Sequence, residues 1–452
     1  MRELTKSMLS FSLGMSLFGV KQLTNILSSS DSSQPTSQAV AAWHAATHTT
    51  EEQYSAAVRE AFQTGDQLQR DMVDLLFGVL TLEACTPRRI TKVTFDMLQQ
   101  SAEVGRWLMP GRENRLAWQE FRNKLQAFDL FEHVDVVLSI PAGPDLSLTA
   151  LLVQADALGP YRAVWALEGL GRYYAETCWT HKGTPHHLLM ADQVSALPPY
   201  SLVPLHTGMG LSLADRLLAT VQSQGSDAAT GRMLQQFIAL CQHNSRVGYT
   251  RAVIEALGLV TRLRCPELIP IVDRQLSSID PDLVGYFWHG VGRGLYFLPL
   301  NALPCASSNW RAVEMAQGEA PHALGRLNAL AGLAWAVTLV NIRHPEILEA
   351  FLHQHAHALS ENDACANGVS SALMMWYDMQ GDDPYLRAFC RYQPDASVPG
   401  LMQLWNSQVR GPCQEALQSY YGVLKAWHSL DEVFRYQPLA VLVDRLKGEP
   451  AR

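Results

Sequence analysis

Charge is scarce in this chain. Asp, Glu, Lys and Arg make up 17% of its 452 residues, where about a quarter is usual. What charge there is leans acidic, with 43 Asp and Glu against 35 Lys and Arg, a net −8 at pH 7. No stretch gathers Lys and Arg densely, which excludes the basic footprint of a general nucleic-acid binder. The eight cysteines, Cys85, Cys178, Cys241, Cys265, Cys305, Cys365, Cys390 and Cys413, stand singly. Without a CxxC pair there is no zinc ribbon and no thioredoxin-type redox motif. Reduced, mostly buried thiols in a cytoplasmic protein are expected instead. The chain also lacks GxxxxGKS/T, GxSxG and HExxH. These absences argue against a phosphate-cradling loop, a nucleophile elbow and a zincin site. No cofactor and no metal is expected. No interior segment approaches the ~20 apolar residues of a membrane-spanning helix. The best interior run, 329–340, is stopped short by Arg326 and Asn328.

What is abundant is apolar and small: 48% of the residues are hydrophobic and 30 are glycine. Low charge with much Ala, Leu and Gly predicts helix packed on helix with little solvated face. A single core stops growing at roughly 250–300 residues, so two domains or one elongated repeat array are expected. At the N-terminus, Leu9, Leu13, Leu17, Val20, Leu23 and Leu27 share one helical face, while Phe11, Met15 and Phe18 cover much of the other. A helix apolar nearly all round is buried, either against protein or at a membrane surface. A signal peptide is opposed by Lys21, Gln22 and Leu23, which stand where a small-x-small cleavage site would follow.

Residues 28–38, SSSDSSQPTSQ, carry no large apolar side chain and read as a linker. Thr50 and Gln53 form a capping box that opens the next helical region. Further helices are predicted over 91–108 and 114–128. The segment 134–140 is β-prone but has no partner strand in sight. Pro141-Ala142-Gly143-Pro144 is the best domain boundary. The expected organisation is an apolar helix at 1–27, a linker at 28–48, a helical region at 49–141 and a helical-repeat domain at 145–452.

Beyond that boundary the chain repeats itself. Glu168-Gly169-Leu170-Gly171-Arg172, His206-Thr207-Gly208-Met209-Gly210, Glu255-Ala256-Leu257-Gly258 and His289-Gly290-Val291-Gly292-Arg293 vary one theme, and Gly332 and Gly368 mark further copies. Their spacing, roughly 35–50 residues, is that of paired-helix repeats. Pro266, Pro304, Pro345 and Pro384 follow within a turn or two of the helix ends and mark the next starts. An all-α fold of tandem helix pairs is predicted, an α-solenoid or α/α array. Glycine inside a helix costs about 1 kcal/mol relative to alanine. Its recurrence places Gly169/Gly171, Gly208/Gly210 and Gly290/Gly292 where two backbones approach closely; a loop or cap role is the alternative.

Three segments, EGLGRYYAE (168–176), HTGMGLSLADRLL (206–218) and YFWHGVGRGLYFLP (286–299), resemble successive blocks of a family encoded within enediyne polyketide biosynthesis gene clusters. The resemblance spans roughly residues 150–390 and implies a role in bacterial secondary metabolism. Residues 1–27 have no counterpart in it, and it carries over no catalytic residue.

The candidate ligand-binding residues are the polar groups around each GxG. Glu168, His206 and His289 precede the glycines, Arg172 and Arg293 follow them, and Tyr286 heads the aromatic block. On one concave face, acid, imidazole and guanidinium would bind a polar group on an apolar substrate or do acid–base work. The alternative is internal pairing that fixes the packing; Glu168 and Arg172 have the i, i+4 spacing of an ordinary helix ion pair. His353, His357 and Glu361 also follow i, i+4, i+8 spacing, but His355 intervenes, and solvated histidines are expected there. The expectation is a cytoplasmic, non-catalytic helical-repeat protein that binds a protein partner or an apolar small molecule in secondary metabolism. An enzyme acting on a polyketide-like substrate at the Glu/His/Arg face is the second reading. A peripheral membrane contact through residues 1–27 is the third.

Overall fold

The computed structural model describes residues 111–141, 143, 146–190, 196–221, 226–298, 301 and 311–448. The fold is all-α, with no strand among the described residues. The expectations for residues 1–27, the linker, the capping box at Thr50 and the helix at 91–108 lie outside them, as do Cys85, Cys305 and Pro304.

The helices are α1 (Arg112–Glu132), α2 (Val134–Val137), α3 (Leu148–Asp156), α4 (Pro160–Lys182), α5 (Pro199–Val221), α6 (Asp227–Asn244) and α7 (Thr250–Arg264). There follow α8 (Ile269–Ile279), α9 (Leu283–Tyr296), α10 (Ala312–Gly318), α11 (Ala323–Val340), α12 (Pro345–Gln354), α13 (Ala356–Ser360), α14 (Ala364–Gln380) and α15 (Pro384–Arg391). A helical stretch at 401–426 with π turns is α16, a short 3₁₀ turn covers Leu430–Phe434, and Leu439–Gly448 is α17. The β-prone 134–140 segment is the short helix α2 and a turn. With no neighbouring strand to pair with, its backbone bonds locally, Leu138 N–H to the Val134 carbonyl.

The chain divides into two units, Met1–Arg122 with Ala302–Ser307, and Asn123–Asn301 with Ser308–Arg452. In the first, Trp118 and Phe121 of α1 meet edge to face at 6.1 Å. The division falls within α1, upstream of the 141–144 boundary expected from Pro and Gly. From Asn123 onward α1 is bonded into the second unit. The Asn123 amide donates to Asn341 Oδ1 at 2.9 Å, and Lys124 Nζ donates to the Asn301 carbonyl at 2.7 Å.

In the second unit α4, α5, α7, α9, α11 and α14 pack each on the next, and α14 packs back on α5. Tyr161 of α4 meets Trp376 of α14 with ring centroids 6.3 Å apart, closing the row into a ring. The shorter α6 and α8 pack on each other and on α5 and α9, and α10 and α12 pack on α11. Pro266, Pro345 and Pro384 open the 3₁₀ turn before α8 and the helices α12 and α15, as their positions predict. Helix α11 is long and apolar enough to cross a membrane by length and composition. It is nevertheless a central core helix, with 78% of it buried.

The glycines explain how the ring closes so tightly. A Cβ on Gly169 would lie 2.6 Å from the Phe131 carbonyl oxygen of α1, and one on Gly210 would lie 2.5 Å from that of Val253 on α7. A Cβ on Gly171 would collide with Leu205, on Gly208 with Glu168, on Gly258 with Phe287, on Gly290 with Glu255, on Gly292 with Ala329, on Gly332 with His289 and on Gly368 with Ala331; in each case it would strike a backbone carbonyl. Two residues apart on a helix is about 200° of rotation. The two glycines of each GxG therefore face opposite neighbours, and the motif marks a helix squeezed from both sides.

Gly292→Ala should cost about 1–3 kcal/mol or more in denaturant unfolding, because a methyl there meets rigid backbone. Gly422→Ala, at an exposed helical position with nothing within 4 Å, should be neutral or gain up to about 1 kcal/mol from helix propensity. Equal stabilities for the two variants would refute the crowded-crossing assignment.

Candidate functional site

The helix crossings carry polar side chains into the ring. The carbonyls that receive Gly208, Gly290 and Gly332 belong to Glu168, Glu255 and His289. The side chains of these three residues meet around Arg293, one turn along α9 from His289. Arg293 Nη1 donates to Glu255 Oε2 at 2.8 Å, and its Nη2 lies 3.5 Å from Glu168 Oε1. His289 Nδ1 lies 3.0 Å from Glu255 Oε1. The guanidinium stacks over Trp335 of α11, 4.3 Å from the ring centre. Exposure is 7% for Glu168, 3% for Arg293 and zero for Glu255 and His289.

Burial sets the protonation of this cluster. It pushes the Glu168 carboxyl up, with the Glu255 charge adding and Arg293 opposing. It pushes His289 down against the pull of Glu255, so the imidazole is neutral at pH 7. Facing a carboxylate oxygen, Nδ1 carries the proton and Nε2 is left as a bare acceptor. His289 Nε2, Arg293 Nε and Trp335 Nε1 are all buried without a hydrogen-bond partner. That is one acceptor and two donors in a single cluster.

The structure separates the other predicted residues. Arg172 does not pair with Glu168 but with Glu132 of α1 at 2.6 Å, and it lies over the Phe131 ring. Glu168 pairs instead with Arg293 of α9, which leaves the i, i+4 spacing unused. His206 is a packing residue, with Nδ1 2.6 Å from the Leu202 carbonyl, Nε2 accepting from the Arg246 N–H at 3.1 Å, and the ring stacked on Tyr249 at 4.9 Å. Burial drives its pKa down to about 3.

Tyr286 belongs to a second polar group at the end of the ring, where its hydroxyl donates to Glu432 Oε2 at 2.9 Å. His353 and His357 fall on separate short helices, α12 and α13, because α12 ends at Gln354 with His355 as its cap. The His357 side chain pairs with Glu361 at 3.2 Å in solvent. Among the described residues no group of three or more His, Cys, Asp or Glu is arranged to hold a metal ion.

Two members of the cluster escaped the sequence reading, Glu255 and Trp335. The signal for Glu255 was present. Glu168-Gly169-Leu170-Gly171, Thr207-Gly208-Met209-Gly210, Glu255-Ala256-Leu257-Gly258 and His289-Gly290-Val291-Gly292 align once Ala256 is allowed as the first small residue. In that register the equivalent of Glu168 on α5 is Thr207, and His206 is rotated about 100° away. The Thr207 hydroxyl donates to its own helix, to the Val203 carbonyl at 2.9 Å.

Arg293→Met should lower stability by roughly 3–5 kcal/mol, since it leaves two buried carboxylates without their cation. A loss below about 1 kcal/mol would show that the cluster is solvated. Both histidines are held below their ordinary pKa of 6.5, and unfolding releases them to bind protons. Stability should therefore fall as the pH drops below about 6.5, toward about 3 for His206. His206→Asn should flatten that slope in melting experiments; an unchanged slope would contradict a buried neutral His206.

No described protein family, no curated protein and no solved structure matches this chain.

Proposed function

We propose that this chain is a cytoplasmic, non-catalytic helical binding protein, an accessory of bacterial secondary metabolism of the enediyne-polyketide kind. The pathway rests on the resemblance of residues 168–176, 206–218 and 286–299. The binding role rests on one observation: His289 Nε2, Arg293 Nε and Trp335 Nε1 lie buried and unpartnered in the cluster around Glu168, Glu255 and Arg293. A buried polar group without a partner costs about 1–3 kcal/mol, and a ligand that supplies the partner recovers it. The three atoms ask for an O–H or N–H toward His289 and oxygens toward Arg293 and Trp335, on a body apolar enough to lie among Trp335 and Phe434. Glu255, held by both His289 and Arg293, orients these groups and is not free to act as a base.

The enzyme reading keeps one supporting observation. Burial holds the Glu168 carboxyl toward its protonated form, the state a general acid needs.

Native mass spectrometry of protein purified from a host carrying the biosynthetic cluster tests both. Wild type should carry a small molecule, and Trp335→Phe, which removes the indole N–H together with the five-membered ring that bears it, should carry less of it while remaining folded by circular dichroism. Returned to fresh protein, the molecule should be recovered at the same mass. Recovery at a changed mass would favour the enzyme, and equal loading of the two proteins would remove Trp335 from the site.

A further inference from the structure

Residues 428–437 cross the first turns of α7, α9 and α14 and the second turn of α11 at one end. The Arg251 N–H of α7 donates to Asp431 Oδ2 at 3.1 Å, and the Arg251 guanidinium lies 3.1 Å from Glu432. Tyr286 in the first turn of α9 donates to Glu432 at 2.9 Å. Asn328 of α11 accepts from the Tyr436 N–H at 2.6 Å, and Asn367 of α14 donates to the Gln437 carbonyl at 2.7 Å. The N-terminal parts of helices α7, α9, α11 and α14 thus lie together at this end, where the Arg251 N–H and guanidinium and the helix dipole ends favour negative charge.

The segment brings an unusual load to this place. Asp431 and Glu432 are 3% and 5% exposed, and Phe434 is 1% exposed. The Phe434 ring sits 6.3 Å from His289 and 6.0 Å from Trp335, directly against the cluster with the unpartnered atoms. Two neighbouring carboxylates and an aromatic ring, carried into a helix-N-terminal site and set against those groups, have the composition of a ligand. The two acids are not equivalent. Glu432 is an anchor: burial opposes its charge, but Arg435, Arg251, Gln437 and Tyr286 outweigh it and hold the carboxyl low. Asp431 is costly: burial pushes it up to about 6 despite Arg251, with the Glu432 charge adding.

We propose that this end of the ring is a binding site for an amphipathic carboxylate, an acid group joined to an aromatic or extended apolar body, and that residues 431–434 occupy it in cis until such a ligand displaces them. The incoming acid takes the Arg251 guanidinium, the Arg251 N–H and the Tyr286 hydroxyl. Its body takes the place of Phe434, which brings it to His289 and Trp335. The inference rests on the binding function proposed above and adds the ligand class and the gate.

Hydrogen–deuterium exchange of residues 428–437 in the full chain tests it, with 3-phenylpropanoate as probe and 3-phenylpropanamide as neutral control. The carboxylate should raise exchange in this segment saturably, and the amide should not. Glu432→Gln removes the anchor's charge, so the open state is more populated and the carboxylate should bind about tenfold tighter. Asp431→Asn keeps an acceptor for the Arg251 N–H and removes the costly charge, so it should bind the probe more weakly than wild type at neutral pH. A carboxylate that raises the melting temperature while segment exchange stays unchanged would overturn the cis-occupant inference and leave the binding function standing. Absence of binding to both wild type and Glu432→Gln, or equal binding of acid and amide, would overturn the carboxylate site, with the small-molecule loading of wild type still deciding the binding function separately. Should Glu432→Gln not fold, the wild-type and Asp431→Asn comparison decides alone.

Discussion

The closeness of the helix crossings is the constraint on which the rest of the ring depends. Each crossing puts the Cα of a glycine against a carbonyl of the next helix, at Gly171 on Leu205, Gly208 on Glu168, Gly290 on Glu255 and Gly332 on His289. At that separation no methyl fits, so the sequence cannot drift to alanine without moving a backbone. The close approach also brings the glycine Cα–H groups to carbonyl oxygens, a weak attraction that recurs at helix–helix interfaces. A helix gripped in this way on both flanks has one remaining inward direction, and the residue beside the first small residue of the motif points along it.

That geometry explains a chain with so little charge that nevertheless buries several charged side chains. Arg293 is the hub, reaching Glu255 on α7 and Glu168 on α4 while its guanidinium lies over the Trp335 ring. A planar guanidinium can satisfy two carboxylates and still stack, which a lysine ammonium cannot. The neutral His289 completes the shell of Glu255 without adding charge. Removing Arg293 leaves the Glu168 and Glu255 carboxyls without their cation in a medium that water does not reach.

How much of this was legible follows from what each residue's partner is. The all-α fold, the Pro-led helix starts and the GxG crossings depend on residues near in sequence, and their periodicities are visible in the chain itself. Glu168, His289 and Arg293 were visible as polar interruptions beside glycine. Glu255 was hidden because Ala256 occupies the position where the other copies have glycine, and Trp335 because an indole in an apolar helix reads as core. His206 was grouped with Glu168 and His289 although it stands two residues before its glycine and they stand one. A single residue of register turns a helix by about 100°, enough to send the ring to Arg246 and Tyr249. The unit boundary inside α1 depends on Asn341 and Asn301, partners more than 150 residues away, and no local signal carries it.

The segment over the end of the ring shows the same physics from the other side. Caps such as His322 on the Gly325 N–H and Gln408 on the Ala366 N–H satisfy part of the N-terminal turns of this end, and the Arg251 N–H and guanidinium take their acceptors from residues 431 and 432. An apolar cover would satisfy the shape but strand the Arg251 N–H and guanidinium. Asp431 and Glu432 supply the acceptors, yet they differ in how well they are compensated. Glu432 is surrounded by Arg251, Arg435, Tyr286 and Gln437, while Asp431 has the Arg251 N–H and a guanidinium at 3.9 Å. Had selection acted only to seal this end, an amide in place of Asp431 would accept the same N–H without a buried charge. In the proposed exchange the Asp431 carboxylate, pushed up by burial, makes the cover easier to displace than an amide would.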